Sequence, residues 1–200
     1  MQVNFFNPVA IGKTKVDAVM LDKLDQHSKQ LLNNGSIAED YPVNDYLTLR
    51  GGDQRRVWPG DNIEWIKLWI ETQAREYQER MWHQSGEFGS LKLYPTLVNA
   101  WTITQPEYSY QVTHAHPYGH ISGNLYLEVP VFDADSAETD GCISFVLDRS
   151  ADLQSTRFVH VQPEQGMMLI FPSWLPHQVY PWKGQGQRRV IAWDCQLLPQ

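Results

Sequence analysis

The chain has 200 residues, of which 42% are hydrophobic and 20% are charged, as expected for one globular domain with a full core. The formal net charge of −7 argues against a general attraction to nucleic acid or to anionic membranes. Two cysteines, Cys142 and Cys195, are too few for a disulfide framework. The N-terminus has no secretory pattern and no apolar run is long enough for a membrane span, so a reduced cytoplasmic protein is expected.

The first ninety residues are predicted to form a helical support region. Apolar residues at helical spacing predict one helix that ends at Asn33-Asn34-Gly35, and they are Val16, Met20, Leu24 and Leu31. A second helix is predicted over Asp61–Gln84, with Asp61 as its N-cap and Gly86 as its stop. Its apolar face needs a partner, and a sheet is the expected one.

From Leu91 the hydrophobic period changes to two, which is typical of strands. The predicted strands are Thr96–Thr104, Ser109–His116, Ile121–Val129, Cys142–Leu147, Arg157–Val161, Met167–Phe171 and Arg188–Cys195. Strands at this spacing favour a sandwich or barrel over alternating βαβ units. We therefore predict a mostly β fold, an antiparallel double-stranded β-helix (jelly roll) over 91–200 with two helices packed outside, in a single domain of 1–200.

Histidines in the β half predict a metal site. Residues two apart in a strand share a face, so His114 and His116 are expected on one side together with Tyr110 and Val112. Two imidazoles side by side can chelate a transition metal. His177, after a distant apolar strand, is the expected third ligand, because strands far apart in sequence become neighbours in a jelly roll.

An arginine at the start of the last strand offers a planar fork for a carboxylate. Two candidates, Arg188 and Arg189, follow Gly184-Gln185-Gly186-Gln187. Together with three histidines, such an arginine predicts a co-substrate anchor.

Two motifs carry a resemblance to a known family. His114-Ala115-His116-Pro117, followed by Ser122-Gly123 and Tyr126-Leu127, is similar to the H-x-H-P…S-G segment of small 2-oxoglutarate/Fe(II) oxygenases of marine bacteria and cyanophages. The segment from Pro163 to His177, with Phe171-Pro172-Ser173-Trp174-Leu175, resembles their P-x-x-G…F-P-S-W-L-x-H signature.

The resemblance implies a dioxygenase that uses Fe(II) and 2-oxoglutarate, and that hydroxylates a substrate while 2-oxoglutarate is decarboxylated to succinate. It implies that a late arginine grips 2-oxoglutarate, and the G-x-R spacing favours Arg188. Tyr126 and Ser122 are predicted as hydroxyl partners of the same co-substrate. The sequence departs from the wider superfamily at His116, where the second metal ligand is usually a carboxylate.

Two other functions fit the same residues. One is a cupin-like three-histidine metalloenzyme that does not use 2-oxoglutarate, and the other is a non-catalytic jelly-roll binding protein. In an enzyme, the substrate pocket is predicted to be lined by Trp101, Tyr110 and Trp174, together with Tyr126, for a small molecule or a peptide side chain. The oligomeric state stays open, a homodimer included.

Overall fold

The computed structural model describes residues 1–6, 9–33, 49–57, 63–85, 93–148 and 156–199, and within these ranges it contains two helices and fourteen strands. The helices are α1 (Ala18–Asn33) and α2 (Glu64–Ser85). The strands are β1 (Gln2–Phe6), β2 (Val9–Lys15), β3 (Leu49–Arg50), β4 (Asp53–Arg56), β5 (Leu93–Gln105), β6 (Tyr110–His114), β7 (Ile121–Glu128), β8 (Val131–Phe132), β9 (Ile143–Asp148), β10 (Arg157–Val161), β11 (Met167–Pro172), β12 (His177–Val179), β13 (Gly184–Gln185) and β14 (Arg188–Pro199).

The strands form two main antiparallel sheets. The major sheet has the order β1-β2-β11-β7-β14-β5-β4, and the minor sheet has the order β10-β9-β12-β6-β3. Strands β8 and β13 form a small separate ribbon. The order brings together strands that are far apart in sequence, as the predicted double-stranded β-helix requires, and this fold prediction is confirmed.

Side chains alternate between two cores on either side of the major sheet. In β14, Val190 and Ala192 join the core between the two sheets, whereas Ile191 and Trp193 join the core beneath the helices. The same alternation places Tyr126 of β7 between the sheets. The period of two therefore decides which residues can reach a cavity between the sheets.

Both predicted helices are present, and they cover the outer face of the major sheet. Asp17 caps α1, because its Oδ1 accepts from the backbone N–H groups of Val19 at 3.1 Å and Met20 at 3.0 Å. Helix α2 begins at Glu64, and the predicted N-cap Asp61 and stop Gly86 lie outside the described residues. Neither helix is both long enough and apolar enough to cross a membrane.

The expectation that the first ninety residues form only helices and loops is wrong, because β1 to β4 also lie there. Strand β2 pairs with β11 and places Lys15 opposite Met167, so this segment extends the major sheet. These strands escaped the sequence prediction because they are short or polar, and β2 ends in Gly12-Lys13-Thr14-Lys15 without alternation.

Candidate metal centre and carboxylate pocket

His114 and His177 are held by neighbouring strands of the minor sheet. They are direct cross-strand partners in the antiparallel pair of β6 and β12. Their ring centroids lie 4.4 Å apart, and His177 is only 4% exposed. The sheet pairing therefore holds these two imidazoles side by side.

A bulge in β6 changes which residues face inwards. Val179 pairs with Gln111, so Val112 and Thr113 together oppose the single residue Gln178. As a result Gln111 lines the cavity together with His114. The predicted shared face of Tyr110, Val112 and His114 is wrong, because the bulge interrupts the period of two and leaves Tyr110 38% exposed and outside the cavity lining.

His116 lies in the loop after β6 rather than in the strand. Its backbone N–H donates to the carbonyl of Ser173 at 2.8 Å, which ties this loop to the turn that precedes β12. Its ring centroid lies 5.3 Å from that of His114 and 5.1 Å from that of His177. One potential ligand atom from each of the three histidines lies within 4.8 Å of the others. The structure thus brings together all three predicted metal ligands.

Hydrogen bonds fix the tautomer of each imidazole. Nδ1 of His114 lies 2.8 Å from the carbonyl oxygen of Val112, and Nδ1 of His177 lies 3.0 Å from that of Leu175. Nδ1 of His116 lies 2.6 Å from Oδ1 of Asp194. Since these oxygens can only accept, Nδ1 carries the proton in each ring, and the lone pair on Nε2 is left for a metal.

Burial also keeps two of the rings neutral. Desolvation lowers the pKa of His114 to about 4, with a further lowering from the charge on a protonated His116. Desolvation likewise lowers the pKa of His177 well below its usual value. Neutral imidazole is the form that binds metal, so these rings are available as ligands at neutral pH.

Arg188 points into the same cavity from β14. It is 1% exposed, its Nε donates to Oε1 of Gln105 at 3.0 Å, and its Nη1 donates to the carbonyl of Gly141 at 2.7 Å. Among the described residues its Nη2 has no hydrogen-bond partner, and neither has Nε2 of Gln105. Burial lowers the pKa of Arg188 to about 10, so the guanidinium remains charged at neutral pH. Two buried donors without partners beside a cation are suited to a carboxylate.

Arg189 faces the opposite side of the sheet. Its guanidinium donates to Oδ1 of Asp25, to Oε2 of Glu128 at 3.1 Å and to Oγ of Ser28 at 3.2 Å. Two of these partners, Asp25 and Ser28, belong to α1, so Arg189 joins this helix to the major sheet. Of the two candidate anchors, Arg188 alone lines the cavity.

Tyr126 lies in the cavity near Arg188, whereas Ser122 lies elsewhere. Burial raises the pKa of Tyr126 to about 12, so its hydroxyl keeps its proton. Ser122 is absent from the cavity lining, and its Oγ lies 2.5 Å from Oδ1 of Asp194. Ser122 thus belongs with the predicted metal ligand His116 rather than with the arginine.

Of the three aromatic residues predicted to line the substrate pocket, one lines the cavity and two do not. Trp101 is buried, lines the cavity and lies 5.7 Å from His116 between ring centroids. Trp174 is 59% exposed and, like Tyr110, is outside the cavity lining. Tyr118, which is 69% exposed, lines the cavity instead.

Sequence reasoning missed two residues of the site, Gln105 and Asp194. Gln105 is the cross-strand partner of Arg188 on β5, and Asp194 is the cross-strand partner of Ser122 on β7. Both lie on faces that turn inwards. The signal for Asp194 was a polar residue among the apolar positions of the predicted strand Arg188–Cys195, whereas Gln105 lies one residue beyond the predicted strand Thr96–Thr104.

A family of known proteins matches the segment that carries this site. Residues 99–194 match a family model described as "Putative 2OG-Fe(II) oxygenase". This segment contains Arg188 and the three clustered histidines, His114, His116 and His177. No curated protein sequence matches the chain.

Solved structures of such oxygenases share the fold. A prolyl-4-hydroxylase of Pseudomonas putida is 14% identical with a TM-score of 0.62, over 96% of this chain and 95% of that one. A prolyl hydroxylase of Trichoplax adhaerens, in complex with a hypoxia inducible factor peptide fragment, is 15% identical with a TM-score of 0.59, over 96% and 86%. The α-ketoglutarate-dependent carbocyclase SnoK of nogalamycin biosynthesis is 10% identical with a TM-score of 0.68, over 97% and 81%. These likenesses concern the fold, whereas the family match and the histidine cluster support the predicted class, an oxidoreductase with Fe(II) and 2-oxoglutarate as cofactors.

Proposed function

We propose that this protein, whose segment 99–194 matches the 2OG-Fe(II) oxygenases, is a dioxygenase that binds Fe(II) through His114, His116 and His177 and binds 2-oxoglutarate through Arg188. One observation carries the proposal. The three imidazoles and a buried guanidinium with an unused donor line the same cavity between the sheets. A metal alone would not need the arginine, and a carboxylate alone would not need three clustered imidazoles.

The donor set fits ferrous iron. One potential ligand atom of each imidazole lies within 4.8 Å of the others, and imidazole nitrogen is a ligand that suits iron. When bound, the iron supplies the redox chemistry by which oxygen is activated with decarboxylation of 2-oxoglutarate. The histidines hold the metal in place, and the buried walls of the cavity exclude water from it.

The other end of the cavity fits the distal carboxylate of 2-oxoglutarate. Nη2 of Arg188 and Nε2 of Gln105 are unused donors on cross-strand partners, and Tyr126 lies close by with its hydroxyl protonated. A buried carboxylate needs a paired cation and directional donors, which these residues provide. The reaction would convert a C–H bond of the substrate, 2-oxoglutarate and O2 into the hydroxylated substrate, succinate and CO2.

The substrate class is a small molecule or a peptide side chain. The comparison structures include a hydroxylase with a peptide and an enzyme of nogalamycin biosynthesis, so the fold accommodates both kinds. The cavity reaches the surface beside Tyr118, where a substrate can enter. We also propose that the protein is cytoplasmic and that it forms a homodimer.

Anaerobic titration tests the proposal. Purified protein loaded with Fe(II) should develop a weak visible charge-transfer band when 2-oxoglutarate is added, and it should form succinate once oxygen is admitted. Metal binding without a response to 2-oxoglutarate would favour the cupin-like three-histidine enzyme. Failure to bind any divalent metal would favour a non-catalytic binding protein.

A further inference from the structure

His116 is oriented in a different way from the other two histidines of the cluster. His114 and His177 each donate from Nδ1 to a backbone carbonyl two residues earlier in the chain. His116 donates instead to a carboxylate, that of Asp194, at 2.6 Å across 78 positions of sequence. Since His116 lies in a loop, its ring has no strand pairing to hold it, and Asp194 provides the missing constraint.

Asp194 is itself held in place. It is 3% exposed, and its Oδ1 also lies 2.5 Å from Oγ of Ser122, which in turn lies 2.8 Å from Oγ of Ser173. The backbone carbonyl of Ser173 also accepts a hydrogen bond from the backbone N–H of His116. The loop, the turn before β12 and strand β14 therefore meet at this carboxylate.

The charge of Asp194 has no lysine or arginine partner among the residues that the structure describes, and its one ion-pair contact there is with His116. A buried carboxylate is costly without a positive charge nearby. A metal ion held by His116 would supply such a charge, and a carboxylate that is hydrogen-bonded to a metal-binding histidine strengthens that ligand.

The negative charge of Asp194 can also compensate for the absence of a carboxylate among the three predicted metal ligands. Non-haem Fe(II) oxygenases commonly hold the metal with two histidines and one carboxylate, which reduces the charge of the site by one. Three neutral imidazoles leave the full charge of the ferrous ion. A carboxylate that is hydrogen-bonded to one of these imidazoles supplies a negative charge close to the metal site without binding the metal itself.

We propose that Asp194 is a positioning residue that orients His116 and supplies the metal site with the negative charge that a carboxylate ligand would otherwise provide. This inference rests on the proposed function, because it assumes that the histidine cluster binds iron. It assigns Ser122 a supporting role, the fixing of Asp194, in place of a role at 2-oxoglutarate.

The test compares Asp194→Asn with Asp194→Ala and with a control, Asp133→Asn. Asp133 pairs with Lys183 at 3.0 Å, away from the cavity lining. In Asp194→Asn the side chain keeps its shape but loses its charge. Fe(II) and Co(II) affinity is measured by anaerobic titration, and the reduction potential of the bound iron is measured in the same samples. Thermal unfolding of the metal-free proteins shows which variants fold.

We expect Asp194→Asn and Asp194→Ala to bind metal about 10–100-fold more weakly than the wild type. The reduction potential should rise in Asp194→Asn, because the negative charge that favours the oxidised metal is lost. Asp133→Asn should change neither quantity. If Asp194→Ala does not fold, Ser122→Ala, which frees the carboxylate without removing it, should still weaken metal binding by a smaller factor.

The outcomes distinguish a failure of the role proposed for Asp194 from a failure of the proposed metal site. Wild-type affinity and an unshifted potential in Asp194→Asn would overturn the role of Asp194 while leaving the metal site intact. If His177→Ala also bound metal like the wild type, the proposed metal site itself would be wrong.

Discussion

His114 and His177 lie directly opposite each other on neighbouring antiparallel strands, although 63 positions separate them in the chain. We expect His177→Ala to lose the metal, because two imidazoles would remain and one of these lies in a loop. Metal content after anaerobic loading with Fe(II) and desalting measures the loss. His160→Ala is the matched control, since His160 is an exposed strand histidine outside the cluster. Wild-type metal stoichiometry in His177→Ala would refute the assignment.

Arg188 should control the affinity for 2-oxoglutarate without affecting the metal. Arg188→Lys keeps the charge but loses the planar fork, so 2-oxoglutarate should bind more weakly. Arg188→Ala should bind it more weakly still, by roughly 2–5 kcal/mol, because the carboxylate would be buried without a cation. Anaerobic titration followed by the visible band gives both affinities, with Arg80→Ala on the surface of α2 as the control. Equal affinities in the wild type and Arg188→Ala would exclude this anchor.

Gln105→Glu should impair the co-substrate site more than Gln105→Ala does. The alanine variant removes one donor to a charged ligand, which we expect to weaken 2-oxoglutarate binding by about 1.5–3 kcal/mol, or about 10–150-fold. The glutamate variant would pair with Arg188 and would also repel the dicarboxylate. The same titration, with Fe(II) affinity measured alongside, compares the two variants. If Gln105→Glu bound 2-oxoglutarate as tightly as Gln105→Ala, the distal carboxylate would not lie beside this residue.

Arg189 should matter for stability rather than for binding. Arg189→Ala would leave Asp25, Glu128 and Ser28 without their shared donor and would loosen α1 from the major sheet. We expect the free energy of unfolding to fall by about 1.5–3 kcal/mol. Urea denaturation measures this quantity, and the 2-oxoglutarate affinity of the folded fraction should stay unchanged. A selective loss of 2-oxoglutarate affinity would mean that Arg189, and not Arg188, is the anchor.

Both cysteine thiols should be unreactive in the native protein at pH 8. Burial raises the pKa of Cys142 to about 11 and also raises the pKa of Cys195. A pKa raised above the ambient pH keeps the thiol protonated, and the reactive form is the thiolate. A thiol reagent such as 5,5′-dithiobis(2-nitrobenzoate) should therefore titrate no thiol before denaturation and two after it. Rapid labelling of the native protein at pH 8 would contradict this expectation.

The sequence by itself determined the fold class, and it picked out the three histidines that form the cluster. The period of two beyond Leu91 describes side chains that alternate between two buried layers, and β14 shows this alternation at Val190, Ile191, Ala192 and Trp193. His114 and His116 are only two residues apart, so they stay close together although β6 ends at His114 and not at His116 as predicted. These features are local, since they depend on backbone geometry over a few residues.

The tertiary structure decided which side chains share the cavity. Alternation places Arg188 and Arg189 on opposite faces of β14, but only the packing of the two sheets shows that the face of Arg188 lines the cavity. The bulge in β6 turned Gln111 inwards in place of Tyr110, because one extra residue reverses the alternation that follows it. Gln105 meets Arg188 through the pairing of β5 with β14, and Asp194 meets His116 where β14 lies against the loop after β6. Both contacts join distant parts of the chain, and no local pattern encodes such contacts.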